Sequence, residues 1–233
     1  MAYVEVNEQY KLTKKKNNGL VYSFYWWVGY KLAFLFKVLK ITPNTVSWFS
    51  IVFYTFAGYL FIQHNYILNI LGGVCFYFGV QMDATDGKLA RITNKTSKLG
   101  VWLDYNFDNI RPLFIYPLIA YHLYIKDGEV YWFFVAFVAM AVLYTSNIVN
   151  MCWDNFDFAS EEKDNYVDES KFHKYLKQFY FLEGIEPLAV ILFFSLNWIE
   201  LYLICWTAGL TLMYVATAFF LGNKIRKKDL DAK

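Results

Sequence analysis

The chain has 233 residues, of which 58% are hydrophobic and 22% aromatic, and its formal net charge is +2. A soluble domain carries about 45–50% apolar residues, so this excess argues for a membrane protein. The near-neutral charge excludes the strongly basic balance of a nucleic-acid binder, and no nucleic-acid partner is expected.

Residues 1–19 are polar and end in Lys14-Lys15-Lys16-Asn17-Asn18-Gly19. No apolar run leads the chain, which argues against a cleavable signal peptide and leaves insertion to the later segments. From Val21 to Lys40, apolar residues recur at helical spacing, as in Trp27, Tyr30, Phe34 and Val38. The pattern predicts an amphipathic helix lying in the membrane interface, with Lys31 snorkelling from its apolar side.

Apolar blocks then recur at about twenty residues, the length that crosses roughly 30 Å of hydrocarbon as a helix. Their order predicts six spans: Thr45 to Gln63, Ile67 to Ile92, Leu99 to Ile125, Glu129 to Trp153, Gly184 to Trp198 and Leu201 to Leu221. The first is approached through Thr42-Pro43-Asn44, where proline suits a first helical turn. A polar stretch from Asp154 to Ser170 and an amphipathic segment from Lys171 to Leu182 separate the fourth and fifth. Of the 22 Lys and Arg residues, all except Arg111 and Lys126 fall on one side of this arrangement. That side is therefore cytoplasmic, and an even number of spans leaves both termini there. Cys75, Cys152 and Cys205 lie far apart in apolar stretches and read as packing residues.

The second and third spans carry charge. Asp83-Ala84-Thr85-Asp86-Gly87-Lys88-Leu89-Ala90-Arg91 is followed, eight residues on, by Gly100-Val101-Trp102-Leu103-Asp104-Tyr105-Asn106-Phe107-Asp108. Residues 83, 86, 87, 90 and 91 share one helix face, and 100, 104, 108 and 111 share another. With a turn centred near Lys95, Asp86 and Asp104 each lie nine residues from it, roughly 14 Å along a helix. An antiparallel hairpin brings the carboxylate pairs to one depth, towards the cytoplasmic end.

Each Asp at a span centre costs about 2.5–3.5 kcal/mol, and neighbouring carboxylates repel. Divalent cations relieve both costs. All-oxygen ligation suits Mg²⁺, Mn²⁺ or Ca²⁺, and the absence of nearby Cys or His argues against zinc. Two ions about 3.5–4 Å apart serve displacement at phosphorus. Gly87, Ala90 and Gly100 leave room for a ligand between the helices, while Lys88 and Arg91 are placed to balance phosphate charge.

Residues 83–108 resemble the signature of the CDP-alcohol phosphatidyltransferases, D-x2-D-G-x2-A-R-x8-G-x3-D-x3-D. All eight fixed positions are present, in Asp83, Asp86, Gly87, Ala90, Arg91, Gly100, Asp104 and Asp108. The resemblance implies an all-α membrane protein, six transmembrane helices preceded by an interfacial amphipathic helix. Residues 1–42 would be cytoplasmic tail and interfacial helix, 43–223 the six-helix catalytic domain and 224–233 a basic cytoplasmic tail. It further implies two ions, Mg²⁺ or Mn²⁺, held by Asp83, Asp86, Asp104 and Asp108, with Asp108 also the general base. Gly87, Ala90, Arg91 and Gly100, with Lys88 beside them, would face a CDP-alcohol donor. A hydroxyl acceptor, lipid or polar, attacks phosphorus and CMP leaves, in phospholipid biosynthesis. Membrane lipid and a second copy of the chain, as a homodimer, are the other expected partners. The expected place is a multi-pass membrane protein with its active site facing the cytoplasm.

A polar CDP-alcohol, bearing an aminoalcohol or polyol, is the alternative donor. An ion or proton transporter is a remoter reading, since broken helices and repeat symmetry are not visible. Glu183 and Glu186, where the chain re-enters the membrane, suit either a helix start or substrate recognition. Arg111 suits either pairing with the aspartates or binding an acceptor phosphate, although few arginines are present for a phosphorylated acceptor. His64, His122 and His173 read as interfacial residues.

Overall fold

The structure, a computed structural model, describes residues 20–155 and 182–231. Among these residues it is all-helical: α1 (Leu20–Val38), α2 (Pro43–Phe61), α3 (Tyr66–Thr93), α4 (Lys98–Asp127), α5 (Tyr131–Asn155), α6 (Leu182–Ser195) and α7 (Ile199–Asp231). The expected segment Lys171 to Leu182 lies almost wholly outside the described residues, as do His173 and the tail at 1–19.

Local chemistry sets the helix ends. Thr42 caps α2 with its hydroxyl accepting from the Thr45 N–H at 3.3 Å, and Pro43 fills the first turn, where no N–H is needed. Asn65 caps α3 by accepting from the N–H groups of Ile67 and Leu68. Asn94 ends α3 in the left-handed region, at φ 53°, a conformation Asn tolerates better than most residues. Ser97 then accepts from the Gly100 N–H at 3.0 Å and starts α4. The turn thus occupies 94–97, centred where the hairpin requires.

The core forms where α2, α3 and α4 meet, around Tyr54, Phe61, Phe76, Ile115, Ile119 and Leu123, and continues to Val190 and Phe194 of α6. Two glycines let these helices close. A Cβ on Gly58 would stand 2.9 Å from the Phe114 carbonyl oxygen, and one on Gly79 would stand 2.5 Å from the Tyr54 ring. Either clash would force the helices apart. Pro112 and Pro117 lie inside α4, a placement membrane helices tolerate when neighbours support the freed carbonyls.

α1 lies along α3. The Tyr25 hydroxyl donates to the Val80 carbonyl at 2.9 Å, and Lys37 Nζ reaches the Ile92 carbonyl at 3.5 Å. A second small core of Ala33, Phe36, Val46, Met82 and Leu89 joins α1, α2 and α3.

Among the described residues, three helices are long and apolar enough to cross a membrane: α3, α5 over Tyr131–Val149 and α7 over Ile199–Asn223. Only 17% of the apolar window is buried in α5 and in α7, against 44% in α3. Their apolar surface therefore calls for a hydrocarbon solvent, because contiguous exposure on this scale is costly in water. At the turn after α4, the Asp127 carboxylate accepts from the Glu129 N–H and the Trp132 indole N–H at 2.9 and 2.7 Å. These two donors hold its carboxyl below the ordinary value.

Candidate active site

The capped hairpin carries four aspartates on facing helices, Asp83 and Asp86 on α3 and Asp104 and Asp108 on α4. One oxygen from each of Asp83, Asp86 and Asp104 lies within 4.8 Å of the other two. Asp86 is buried, Asp83 half-buried and Asp104 exposed, so the cluster runs from the bundle interior to its surface. Among the described residues, no hydrogen-bond donor reaches Asp83 Oδ1 or Asp108 Oδ1, although both atoms are buried. Buried carboxylate oxygens without donors are costly. A hard divalent cation satisfies such oxygens, and the donor set is carboxylate throughout, so these residues fit one.

α2 adds a residue that was not singled out in the sequence. The buried Ser47 donates its hydroxyl proton to Asp86 Oδ2. The Ser50 hydroxyl in turn donates to the Ser47 carbonyl at 2.6 Å. Ser47 lies one turn beyond Pro43, so the cap that starts α2 also sets the depth of this serine.

The remaining signature residues surround the aspartates unevenly. Arg91 is exposed and within electrostatic reach of Asp104. A Cβ on Gly87 would stand 3.6 Å from Arg91 Nη1, so the guanidinium lies over the glycine. A Cβ on Gly100 would stand 3.3 Å from Asn44 Oδ1, which brings the start of α2 against the start of α4. Ala90 is half-buried on the same face. Lys88 points elsewhere. Its ammonium donates to the Ala84 carbonyl and sits 4.1 Å from the Trp26 ring centroid, with the Tyr25 and Tyr30 rings within 6 Å. The side chain is 2% exposed. Cation–π attraction to these rings, about 2 kcal/mol when desolvated, offsets part of the burial cost.

Behind Asp108 a polar network crosses the bundle. Arg111 Nη1 lies 3.9 Å from Asp108 Oδ1, and Arg111 Nη2 lies 3.9 Å from Glu186 Oε2. The other oxygen of Glu186 accepts from the Tyr116 hydroxyl at 2.6 Å, and the Trp206 indole N–H donates to that hydroxyl at 2.9 Å. Tyr54 is within electrostatic reach of Arg111, Asp83 and Asp108. Of the two roles weighed for Arg111, the structure displays pairing with an aspartate. Glu186 is turned into the protein at 5% exposure, while the side chain of Glu183 lies outside the described residues. Tyr116 and Trp206 carried no signal in the sequence, being two among many aromatics.

Far from the aspartates, His64 and His122 stack with ring centroids 4.2 Å apart, and His122 Nδ1 hydrogen-bonds the Phe61 carbonyl at 2.7 Å. His122 is buried within the protein, near the end of α4. Cys75 is half-buried and Cys205 exposed, while the side chain of Cys152 is outside the described residues.

Comparison with known proteins gives concordant matches. The family model described as CDP-alcohol phosphatidyltransferase matches residues 40–222. An archaetidylinositol phosphate synthase from Pyrococcus horikoshii is 39% identical over 72 residues, covering 31% of this chain and 37% of that protein. A bifunctional IPC transferase and DIPP synthase from Aquifex aeolicus is 24% identical over 192 residues, covering 81% of this chain and 41% of that protein. The chain thus spans less than half the length of either relative.

Proposed function

Because this chain belongs to the CDP-alcohol phosphatidyltransferase family, we propose that it transfers a phosphoalcohol group from a CDP-alcohol to an acceptor hydroxyl and releases CMP, as a step in phospholipid synthesis. The observation that carries the reading is the convergence of Asp83, Asp86 and Asp104, with donor-free buried oxygens on Asp83 and Asp108.

In this reading Asp83, Asp86, Asp104 and Asp108 hold two divalent cations, Mg²⁺ or Mn²⁺, which neutralise the diphosphate charge of the donor. Gly87, Ala90, Arg91 and Gly100 form the wall against the CDP moiety, with Arg91 on its phosphates. Lys88, whose ammonium rests among the α1 rings, is left out of that wall. Asp108 accepts the proton of the acceptor hydroxyl. The acceptor oxygen forms its bond to the phosphorus that bears the donor alcohol, the bond from that phosphorus to the CMP oxygen breaks, and CMP departs. A hydroxyl is a poor nucleophile near neutral pH, so a positioned base is needed, and the Asp108 side chain is 35% exposed.

The chain acts as a multi-pass membrane protein with residues 43–223 as a six-span domain. α1 lies in the interface, the flanks at 1–42 and 224–233 are cytoplasmic, the active site opens to that side, and two copies form a homodimer. The one-sided Lys and Arg distribution supports the orientation. An inositol phosphate stands in the name of the Pyrococcus relative. Here, however, Arg111 is engaged by Asp108 and Glu186, and a phosphorylated acceptor needs several free cations. An uncharged hydroxyl acceptor fits better. The deciding experiment incubates the purified protein with Mg²⁺ and a panel of lipid and polar CDP-alcohols and acceptors, with product masses read. CMP release matched by one new phosphodiester supports the reading, and no product from any pair overturns it.

A further inference from the structure

Resting on the reading of Asp108 as the base, we infer that Tyr144 and Asn147 of α5 are positioning residues, bracing the turn of α4 that carries Asp108 and that a proline has weakened. The weakness is set by the sequence. Pro112 lies inside α4, four residues after Asp108. It has no N–H to give the Asp108 carbonyl, and its ring crowds that carbonyl, so the helical ladder is interrupted where the base is attached. In a membrane such a proline is tolerated when a neighbouring helix brings polar groups to the opened turn.

α5 brings them, one residue along. The Tyr144 hydroxyl donates to the Asn109 carbonyl at 2.7 Å, and the Asn147 amide donates to Asn109 Oδ1 at 3.2 Å. Tyr144 and Asn147 are three residues apart and so share a face of α5. Asn109 passes the hold backwards, its own amide N–H donating to the Tyr105 carbonyl at 2.7 Å. Three hydrogen bonds therefore meet on the residue next to Asp108, and two of them come from another helix. The placement is specific. From Phe133 to Leu143 α5 carries apolar side chains only, and its polar groups begin at Tyr144, level with this turn. The brace acts on the backbone from which the Asp108 side chain starts, whereas Arg111 approaches the carboxylate end, at 3.9 Å.

The test is steady-state kinetics on the full chain in detergent or bilayer, at saturating Mg²⁺. Tyr144→Phe keeps the ring and removes the hydroxyl. It should lower kcat by roughly tenfold, short of the roughly 10²-fold that an ångström's misplacement of a reacting group costs. KM for the CDP-alcohol should stay within about twofold, because Tyr144 is not among the groups assigned to the donor. In an Asp108→Asn background the same change should cost less than about twofold, since the group being positioned is already gone. A wild-type kcat for Tyr144→Phe, a change in KM as large as that in kcat, or equal losses in both backgrounds overturns the inference. Should Tyr144→Phe fail to fold, Asn147→Leu removes the second bond, and the same comparison decides. A loss of kcat that depends on Asp108 supports the brace, and an equal or absent loss overturns it. Wild-type turnover of Asp108→Asn, or a wild-type chain without transfer activity, instead overturns the parent reading, and this inference with it.

Discussion

Ser47 on α2 and Asp86 on α3 are joined by a buried hydrogen bond, 39 residues apart in sequence, with the serine as donor. The bond ties Asp86 Oδ2 to the serine, and an oxygen of the same carboxylate lies within 4.8 Å of one from each of Asp83 and Asp104. Outer partners of this kind orient metal-binding carboxylates, and their loss costs about 10–100-fold in affinity. Ser47→Ala is therefore expected to raise the half-saturating Mg²⁺ concentration about tenfold while leaving kcat at saturating metal near wild type. Mg²⁺ titration of activity, together with Mn²⁺ binding followed by electron paramagnetic resonance, checks it. An unchanged metal affinity would separate Ser47 from the site.

Chelation gives the second expectation. Activity should vanish in excess EDTA and return on adding Mg²⁺ or Mn²⁺, because the cluster offers carboxylate oxygens only. Zn²⁺ should restore it poorly, since no Cys or His stands in the cluster. Full turnover in EDTA would sink the metal-dependent mechanism.

Asp108 and Asp83 should fail differently. Asp108→Asn is expected to cut kcat by about 10² or more even at saturating metal, as removal of a general base does. Asp83→Asn should act mainly on metal affinity, because it replaces one of the three converging carboxylates. Separate titrations of metal and donor in each variant distinguish the two. Normal turnover of Asp108→Asn once metal saturates would move the base elsewhere.

Orientation is testable without activity. Single cysteines at 226 and at 128 should react oppositely with an impermeant thiol reagent applied to intact cells. Position 128 lies in the turn after α4 and should label, and 226 should not. Labelling at 226 from outside would reverse the topology.

The helices were legible because most of them are apolar blocks of about twenty residues, and the turn at 94–97 falls where the aspartate spacing requires it. The four aspartates were legible for a related reason: charge inside an apolar run has no bland explanation. The partners of those aspartates were not. Ser47 is one small hydroxyl in an aromatic span, and its role depends on how α2 crosses α3. Tyr116 and Trp206 are lost among 51 aromatic residues by type, 23 Phe, 20 Tyr and 8 Trp. Lys88 shows the limit most directly. Its neighbours in sequence are signature residues, yet it lies off their helix face and the rings that receive it come from α1.

The hairpin has a consequence for biosynthesis. α3 and α4 are consecutive in the chain, so all four aspartates leave the ribosome together and can share cations as soon as both helices are inserted. Arg111 enters with them, but Glu186 is synthesised 75 residues later, on α6. Until α6 docks, Arg111 lacks the carboxylate that approaches it from that helix, and Asp108 is its neighbour within the hairpin. The polar network behind Asp108 is therefore completed only when α6 and α7, the last two helices, pack against the hairpin.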